Sequence, residues 1–100
     1  MAKSRWSQAD RNALQDVYRA YWRASNAILR IPFWGPHHWK AAEAEETMER
    51  ARKALRRYAA RARRLQEPLP SPADLGFHNA EQLRQRLLED EECELRDEWL

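Results

Sequence analysis

Apolar and small side chains recur at helical spacing near the start of the chain. They follow steps of three and four residues, as expected for one face of an α-helix. Ser7 and Asp10 suit the first turn of this helix, and Pro32 disfavours helical geometry in the residue before it. We therefore expect helix one over about residues 8–31, with this face: Leu14, Val17, Tyr18, Tyr21, Ser25 and Ile28.

A second and longer helical pattern occupies about residues 37–66. Its apolar positions alternate in steps of three and four and are rich in alanine: Ala41, Ala44, Met48, Ala51, Leu55, Tyr58, Ala62 and Leu65. At ~1.5 Å per residue this helix would be ~45 Å long, so we expect an elongated molecule. The connection around Gly35 and Pro36 is short, which favours an antiparallel arrangement of helices one and two.

A third pattern covers about residues 80–98, after a proline-rich connection over 67–79. Asn79 and Gln82 have the spacing of a capping box. The connection is too short to follow helix two back along its length, so helix three should run antiparallel to helix two. The sequence thus predicts an all-α, elongated antiparallel three-helix bundle with a long central helix. The apolar face of helix three would comprise Ala80, Leu83, Leu87, Leu88, Leu95 and Trp99.

The composition agrees with one helical domain over residues 1–100. Hydrophobic residues make up 43% and charged residues 34%, which is typical of a globular protein and untypical of a disordered chain. The N-terminus has no apolar run resembling a secretory signal, and no stretch has the ~20 apolar residues of a membrane helix. Cys93 is the single cysteine. We therefore expect a cytoplasmic protein that does not enter a membrane.

A run of positive charge marks the second half of helix two. Residues 50–64 contain eight basic residues and no acid. Bases near a helix C-terminus interact favourably with the helix dipole, but that effect fades beyond the last turn and the run covers about four turns. On the helix the bases form two stripes. The first stripe is Arg50, Lys53, Arg57, Arg61 and Arg64, and the second stripe is Arg52, Arg56 and Arg63.

The charge is also divided along the chain. Residues 1–66 carry 15 bases and 6 acids, whereas residues 67–100 carry 3 bases and 10 acids. With helix three antiparallel to helix two, we expect the acids of 89–98 to lie beside the acidic start of helix two. Their partners would then be Arg19, Arg23 and Arg30. This arrangement would leave the end of helix two as a basic pole.

A basic pole rich in arginine attracts carboxylates and phosphates. We expect a non-catalytic interaction module, an adaptor, subunit or inhibitor that docks on a larger protein or nucleoprotein complex. The alternative is sequence-independent binding of nucleic acid through phosphates. Only Tyr58 is aromatic within the run, which argues against base stacking. The contact residues in either case would be Arg50, Lys53, Arg56, Arg57, Arg61, Arg63 and Arg64.

Aromatic residues around the first connection allow two interpretations. Phe33, Trp34 and Trp39 either close the end of the bundle or form an exposed anchor for a partner. We expect Trp22 and Trp99 in the core, and Trp6 folded over the start of helix one.

No catalytic, metal or cofactor site is predicted. His37 and His38 are adjacent, whereas paired helical ligands need spacings of three or four residues. His78 and Cys93 stand apart without ligand spacing, and no nucleophile–base set or phosphate-binding glycine loop is recognisable. The alanine-rich face of helix two also suggests the hypothesis that the protein self-associates as a homodimer.

Overall fold

The chain folds as the predicted elongated bundle. A computed structural model describes residues 5–30, 38–93, 95 and 98, and at His38 and Trp39 it describes the backbone alone. The described residues form three α-helices: α1 (Gln8–Arg30), α2 (His38–Leu65) and α3 (Ala80–Glu89). The molecule measures 54 × 23 × 23 Å along its principal axes. The prediction of an all-α, elongated antiparallel three-helix bundle with a long central helix is therefore confirmed.

Local hydrogen bonds cap the N-terminus of α1 and the C-terminus of α2. The Ser7 hydroxyl accepts from the Asp10 amide at 3.0 Å, and the Asp10 carboxylate accepts from the Ser7 amide at 3.3 Å. This reciprocal pair satisfies two amides that an uncapped helix leaves without partners. At the end of α2, Gln66 adopts a left-handed φ of 58°, and the Glu67 amide donates to the Ala62 carbonyl. These bonds turn the chain sharply out of the helix.

The proline-rich connection is held against α1 by side chains of that helix and its entry. The Tyr18 hydroxyl donates to the Pro70 carbonyl at 2.6 Å, and the Trp6 indole donates to the Pro68 carbonyl at 3.2 Å. Ser71 caps a turn over 72–75 by accepting from the Asp74 amide at 3.3 Å. The connection therefore begins close to the start of α1 and delivers the chain to α3 there.

The core lies where the three helices and the connection meet. It is built from leucines and aromatics of α1 and α3 against the alanines of α2, so small α2 side chains let larger neighbours approach. Its buried hydrophobic members are Trp6, Leu14, Tyr18, Tyr21, Ala24, Ala44, Met48, Ala51, Leu55, Ala59, Ala62, Leu69, Leu83, Leu87, Cys93 and Leu95. In the described part of the chain, no helix is long and apolar enough to cross a membrane.

The prediction that helix three extends to residue 98 is wrong. The helix ends at Glu89, and Asp90 is extended, with φ −83° and ψ 98°. Four consecutive acids, Glu89–Glu92, would have placed negative charge at the negative end of the helix dipole. Asn79 occupies the N-cap position of α3 but makes no side-chain capping hydrogen bond, so the predicted capping box is not formed.

The chain reverses direction at this helix end. α3 runs parallel to α1, because residues 76–79 lie beside Gln15 whereas Arg86 bonds to Ser25 and Asn26 farther along α1. After the reversal, Asp90 contacts Arg52 and Glu98 contacts Arg63. The described residues 90–93, 95 and 98, which we call the acidic strap, therefore follow α2 toward its C-terminal end.

Candidate interaction surface

The second stripe of α2 is bonded to the acidic strap, and its member Arg52 is buried. Arg52 is 9% exposed, and its Nε donates to Asp90 Oδ2 at 2.8 Å. The same Asp90 oxygen accepts from the Tyr21 hydroxyl at 2.6 Å. This group of three side chains joins α1, α2 and the strap at one buried point.

Further carboxylates surround the Arg52 guanidinium. Its Nη1 lies 3.2 Å from Glu92, 3.5 Å from Glu49 and 3.9 Å from Glu45. A guanidinium presents several donors in a planar fork, which lets one side chain serve several acceptors. The positive charge of Arg52 is therefore satisfied within the chain.

The pKa values of the buried groups follow from these contacts. Burial opposes ionisation of Asp90, but hydrogen bonds from Tyr21 and Arg52 outweigh it and lower the pKa of Asp90. Burial, followed by the hydrogen bond to Asp90, raises the pKa of the Tyr21 hydroxyl. Burial also raises the pKa of the Cys93 thiol to about 12. Asp90 is thus the charged partner of Arg52 at neutral pH, whereas Tyr21 and Cys93 are neutral.

The two other members of the second stripe also contact the strap. Arg56 donates to the Glu92 carbonyl and lies 3.7 Å from the Glu49 carboxylate. Arg63 Nε lies 2.8 Å from Glu98, whose side chain is only 8% exposed.

Two predictions about charge are consequently wrong. The strap touches the acidic half of α2 only where it begins, at the Arg52 shared by Glu92, Glu49 and Glu45, and it then continues to Arg63. Among the described residues it does not pair with Arg19, which bonds instead to Asp16 at 3.4 Å. Because the chain turns back at Asp90, the Glu98 carboxylate reaches Arg63 and the Glu92 backbone carbonyl reaches Arg56. The predicted separation into a basic pole and an acidic pole is therefore reduced. Part of the basic run is neutralised internally.

The first stripe has a different environment. Arg50 pairs with Glu46 one turn away, at 2.8 Å, and its side chain remains 72% exposed. Arg61 lies 3.1 Å from Asp10 and 5.9 Å from the Trp6 ring centroid. Within the described part of the chain, the exposed side chains of Lys53, Arg57 and Arg64 have no ion pair. This side of α2 is open to an external anion.

Two grooves between α1 and α2 adjoin the first stripe. One is lined by Ala13, Val17, Ala54, Arg57, Tyr58, Arg61 and Arg64. The other, about 720 Å³ in volume, lies toward the opposite end of the helix pair and is lined by Ala20, Arg23, Ala24, Ala27, Arg30, Lys40, Glu43, Ala44 and Thr47. Both combine an alanine floor with basic side chains. We call the first the arginine groove and the second the alanine groove.

The predicted aromatic sites are only partly within the described residues. Trp6 is buried over the entry to α1, as expected, with its ring centroid 6.2 Å from that of Tyr58. Trp22 is half-buried and carries the Arg86 guanidinium 4.4 Å above its ring. Phe33, Trp34, His37 and Trp99, together with the side chains of His38 and Trp39, lie outside the described residues.

The described residues contain no group of three or more histidine, cysteine or acidic side chains placed to hold a metal ion. Cys93 is fully buried and its thiol is protonated at neutral pH, which makes it a core side chain rather than a nucleophile. The surface residues described above are thus suited to recognition through charge and shape.

Sequence reasoning missed the acidic partners of the second stripe and the groove side of α1. The acidic partners of the second stripe could not be identified from the sequence because the reversal at Asp90 was not predicted. The groove side carries a signal in the sequence, since Ala13, Val17, Ala20, Ala24 and Ala27 follow steps of four and three. This row of small residues on α1 points away from α3.

Comparisons with protein-family models, with curated proteins and with solved structures gave no match, so the interpretation of this surface depends on its own geometry.

Proposed function

We propose that this protein is a non-catalytic interaction module that docks on an acidic surface of a larger protein or nucleoprotein complex through the first stripe of α2. Such a module would act as an adaptor, a subunit or an inhibitor. The contacts would be charge-assisted hydrogen bonds from Arg57 and Arg64 to carboxylates, with Lys53 and Arg61 beside them.

The contrast between the two sides of α2 carries this proposal. The chain supplies its own acids to Arg52, Arg56 and Arg63, through Asp90, Glu49 and Glu98. Its described residues supply none to Lys53, Arg57 or Arg64. Unpaired like charges on one helix face repel each other and do not stabilise the isolated fold. An anionic partner removes that repulsion, which favours association.

The apolar floor of the arginine groove favours a protein over a nucleic acid. Phosphate backbones are read by charged and polar groups, whereas the methyl groups of Ala13, Val17 and Ala54 suit apolar side chains. Tyr58, which the sequence places among the arginines, is half-buried and packs against Trp6, which limits the ring surface it offers for base stacking.

A pair of double variants on one helix tests the proposal. R57Q/R64Q removes two charges from the first stripe, and R56Q/R63Q removes the same two charges from the second stripe as the matched control. Each protein is used to capture partners from the native host after nuclease treatment. We expect a protein that the wild type and R56Q/R63Q retain and that R57Q/R64Q loses, with recovery falling as salt rises.

Titration with duplex and single-stranded DNA and RNA at two salt concentrations separates the alternative. Little binding at physiological salt supports protein docking. Micromolar or tighter binding that weakens with salt and is lost in R57Q/R64Q would replace protein docking with direct phosphate contact. Equal losses in the two double variants would contradict both functions for the first stripe.

A further inference from the structure

The arginine groove and the alanine groove are two parts of one face of the helix pair, on which the described residues place no third layer. On α1 their floor follows steps of four and three residues, from Ala13 through Val17, Ala20 and Ala24 to Ala27. On α2 the floor continues from Ala44 and Thr47 to Ala54 and Tyr58. Since residues at this spacing share one side of a helix, the floor runs along both helices without changing face.

The opposite face of the same pair is covered by α3 and the strap. On α1 the covered side includes Trp22 and Asn26, which contact Arg86. On α2 the strap contacts Arg52 and Arg63. In helical rotation the α1 residues lie about half a turn from the groove floor, and the α2 residues about a third of a turn from it. One face of the α1–α2 pair thus carries a third layer, and the described residues place no such layer on the other.

Basic side chains of both helices border this face. Of the described residues lining the two grooves, six are basic and one, Glu43, is acidic. In the alanine groove both helices contribute bases, Arg23 and Arg30 from α1 and Lys40 from α2, whereas in the arginine groove all three bases come from α2. An occupant must therefore combine small apolar side chains for the floor with acids along both edges.

We propose that this face binds an acidic amphipathic α-helix of a partner protein, which lies along α1 and α2 and completes a four-helix arrangement. The inference rests on the proposed function and specifies the element that the partner supplies. Alanine floors allow helix axes to approach to the short end of the usual 8–10 Å range. The alternation of small floor residues matches the way a helix presents apolar groups at steps of three and four.

The dimensions define the length of the helix that fits. The groove residues of α1 extend from Ala13 to Arg30, which corresponds to about 26 Å at 1.5 Å per residue. A helix of about 18 residues, or five turns, covers that distance. The partner helix also needs acids on both sides of its apolar face, where they would meet the basic side chains that border the grooves.

Charge argues against a second copy of this chain as the occupant of the same face. A symmetric dimer would bring Arg57, Arg61 and Arg64 of one copy toward the basic edge of the other, and like charges across an interface oppose association. The described acids that border the face, Glu43 and Asp10, are too few to neutralise it, and Asp10 is already paired with Arg61.

The test uses a synthetic 18-residue peptide with alanine and leucine on one helical face and glutamate on the flanks. A scrambled peptide of the same composition removes the periodicity and keeps the charge. Binding is measured by fluorescence anisotropy, and helix formation by the circular dichroism of the mixture. We expect the patterned peptide to bind at least about tenfold tighter than the scrambled peptide and to gain helix on binding.

Variants of the floor locate the peptide. A20Q/A27Q places two larger uncharged side chains in the alanine groove, and A42Q/A60Q makes the same change at α2 positions outside both grooves. Thermal melts verify that all proteins fold. A20Q/A27Q should weaken the patterned peptide about tenfold, and A42Q/A60Q should leave its affinity unchanged.

The outcomes separate this inference from the proposed function. Equal binding of both peptides, abolished in R57Q/R64Q, would overturn the helix inference and leave acidic docking intact. Equal affinity of A20Q/A27Q and wild type for the patterned peptide would also overturn it. Failure of every acidic peptide to bind at low salt would overturn the proposed function as well. Dimerisation of the isolated protein that A20Q/A27Q abolishes would make a second copy the occupant.

Discussion

The two sides of α2 carry similar side chains with opposite consequences. Arg52, on the second stripe, is buried and bonds to Asp90, whereas Arg57, on the first stripe, is exposed and has no ion pair among the described residues. The side chains are chemically identical and stand five positions apart on the helix. The difference shows that the reversal of the chain at Asp90 decides which arginines stabilise the fold and which remain available to a partner.

The location of the turn decides which role each arginine has. The strap places Asp90, Glu92 and Glu98 along the second stripe, where they convert positive charge into bonds that hold the C-terminal segment. The first stripe faces away from the strap and borders the two grooves. Fold stability and partner binding therefore depend on separate sets of arginines, and substitutions should separate the two properties.

The largest effect on stability should follow removal of Asp90. In D90A the buried Arg52 loses its closest carboxylate and Tyr21 loses its acceptor, so we expect a loss of about 3 kcal/mol in the free energy of unfolding. Urea denaturation measures this change. The control E92Q alters an exposed carboxylate near the same guanidinium and should cost less than ~0.5 kcal/mol. Similar losses for the two variants would contradict the central role of Asp90.

Acid should weaken the same contact. The pKa of Asp90 is lowered in the folded protein from its usual 3.8, so its contribution to stability is complete above that pH and is lost as the pH falls through the lower folded value. Urea midpoints at about pH 6 and about pH 2.5 should therefore fall farther in the wild type than in D90N. An equal fall in both proteins would mean that other carboxylates cause the acid sensitivity.

Charge on the strap should also influence partner binding, by a smaller amount. E92Q/E98Q removes two acids from the second stripe and should raise affinity for an acidic helical peptide roughly threefold at low salt. The control E81Q/E89Q changes the net charge equally on α3. If both variants gain affinity to the same extent, the strap has no local effect and only net charge matters.

The smallest effect on stability should come from the first stripe. R57Q removes an exposed guanidinium without a described ion pair, so the free energy of unfolding should change by less than ~0.5 kcal/mol. The matched substitution R52Q breaks a buried, hydrogen-bonded pair and should cost about 2–3 kcal/mol. Thermal and urea unfolding of the two variants in one buffer give the comparison. A destabilised R57Q would indicate that Arg57 has a structural partner.

Much of the fold could be predicted from local sequence signals. Ser7, the repeat of small residues in α2 and the prolines of the connection act over a few residues, and they fixed the helix type and order. The end of α3 was missed because Leu95 continues the apolar pattern from Leu87 although it belongs to the strap. The four acids from Glu89 to Glu92 indicate that the helix ends there, because negative charge is unfavourable at a helix C-terminus. This effect outweighed the apolar spacing that continues to Leu95.

The candidate surface could be predicted only in outline. The basic run is visible in the sequence, and so is its division into two stripes. Which stripe is neutralised depends on contacts between positions far apart in the chain, such as Arg52 with Asp90 and Arg63 with Glu98. No local pattern encodes those contacts, because they follow from the direction of the chain after α3.

Arginine modification tests the contrast between the stripes most directly and requires no partner. The folded protein is treated with a limiting amount of phenylglyoxal, and the modification rate at each arginine is measured by mass spectrometry against the urea-unfolded protein. Arg57 and Arg64 should react in the folded protein nearly as fast as in the unfolded protein, and Arg52 and Arg56 should react much more slowly, because the strap covers them. Equal rates at all four positions would contradict the division of α2 into a neutralised side and an available side.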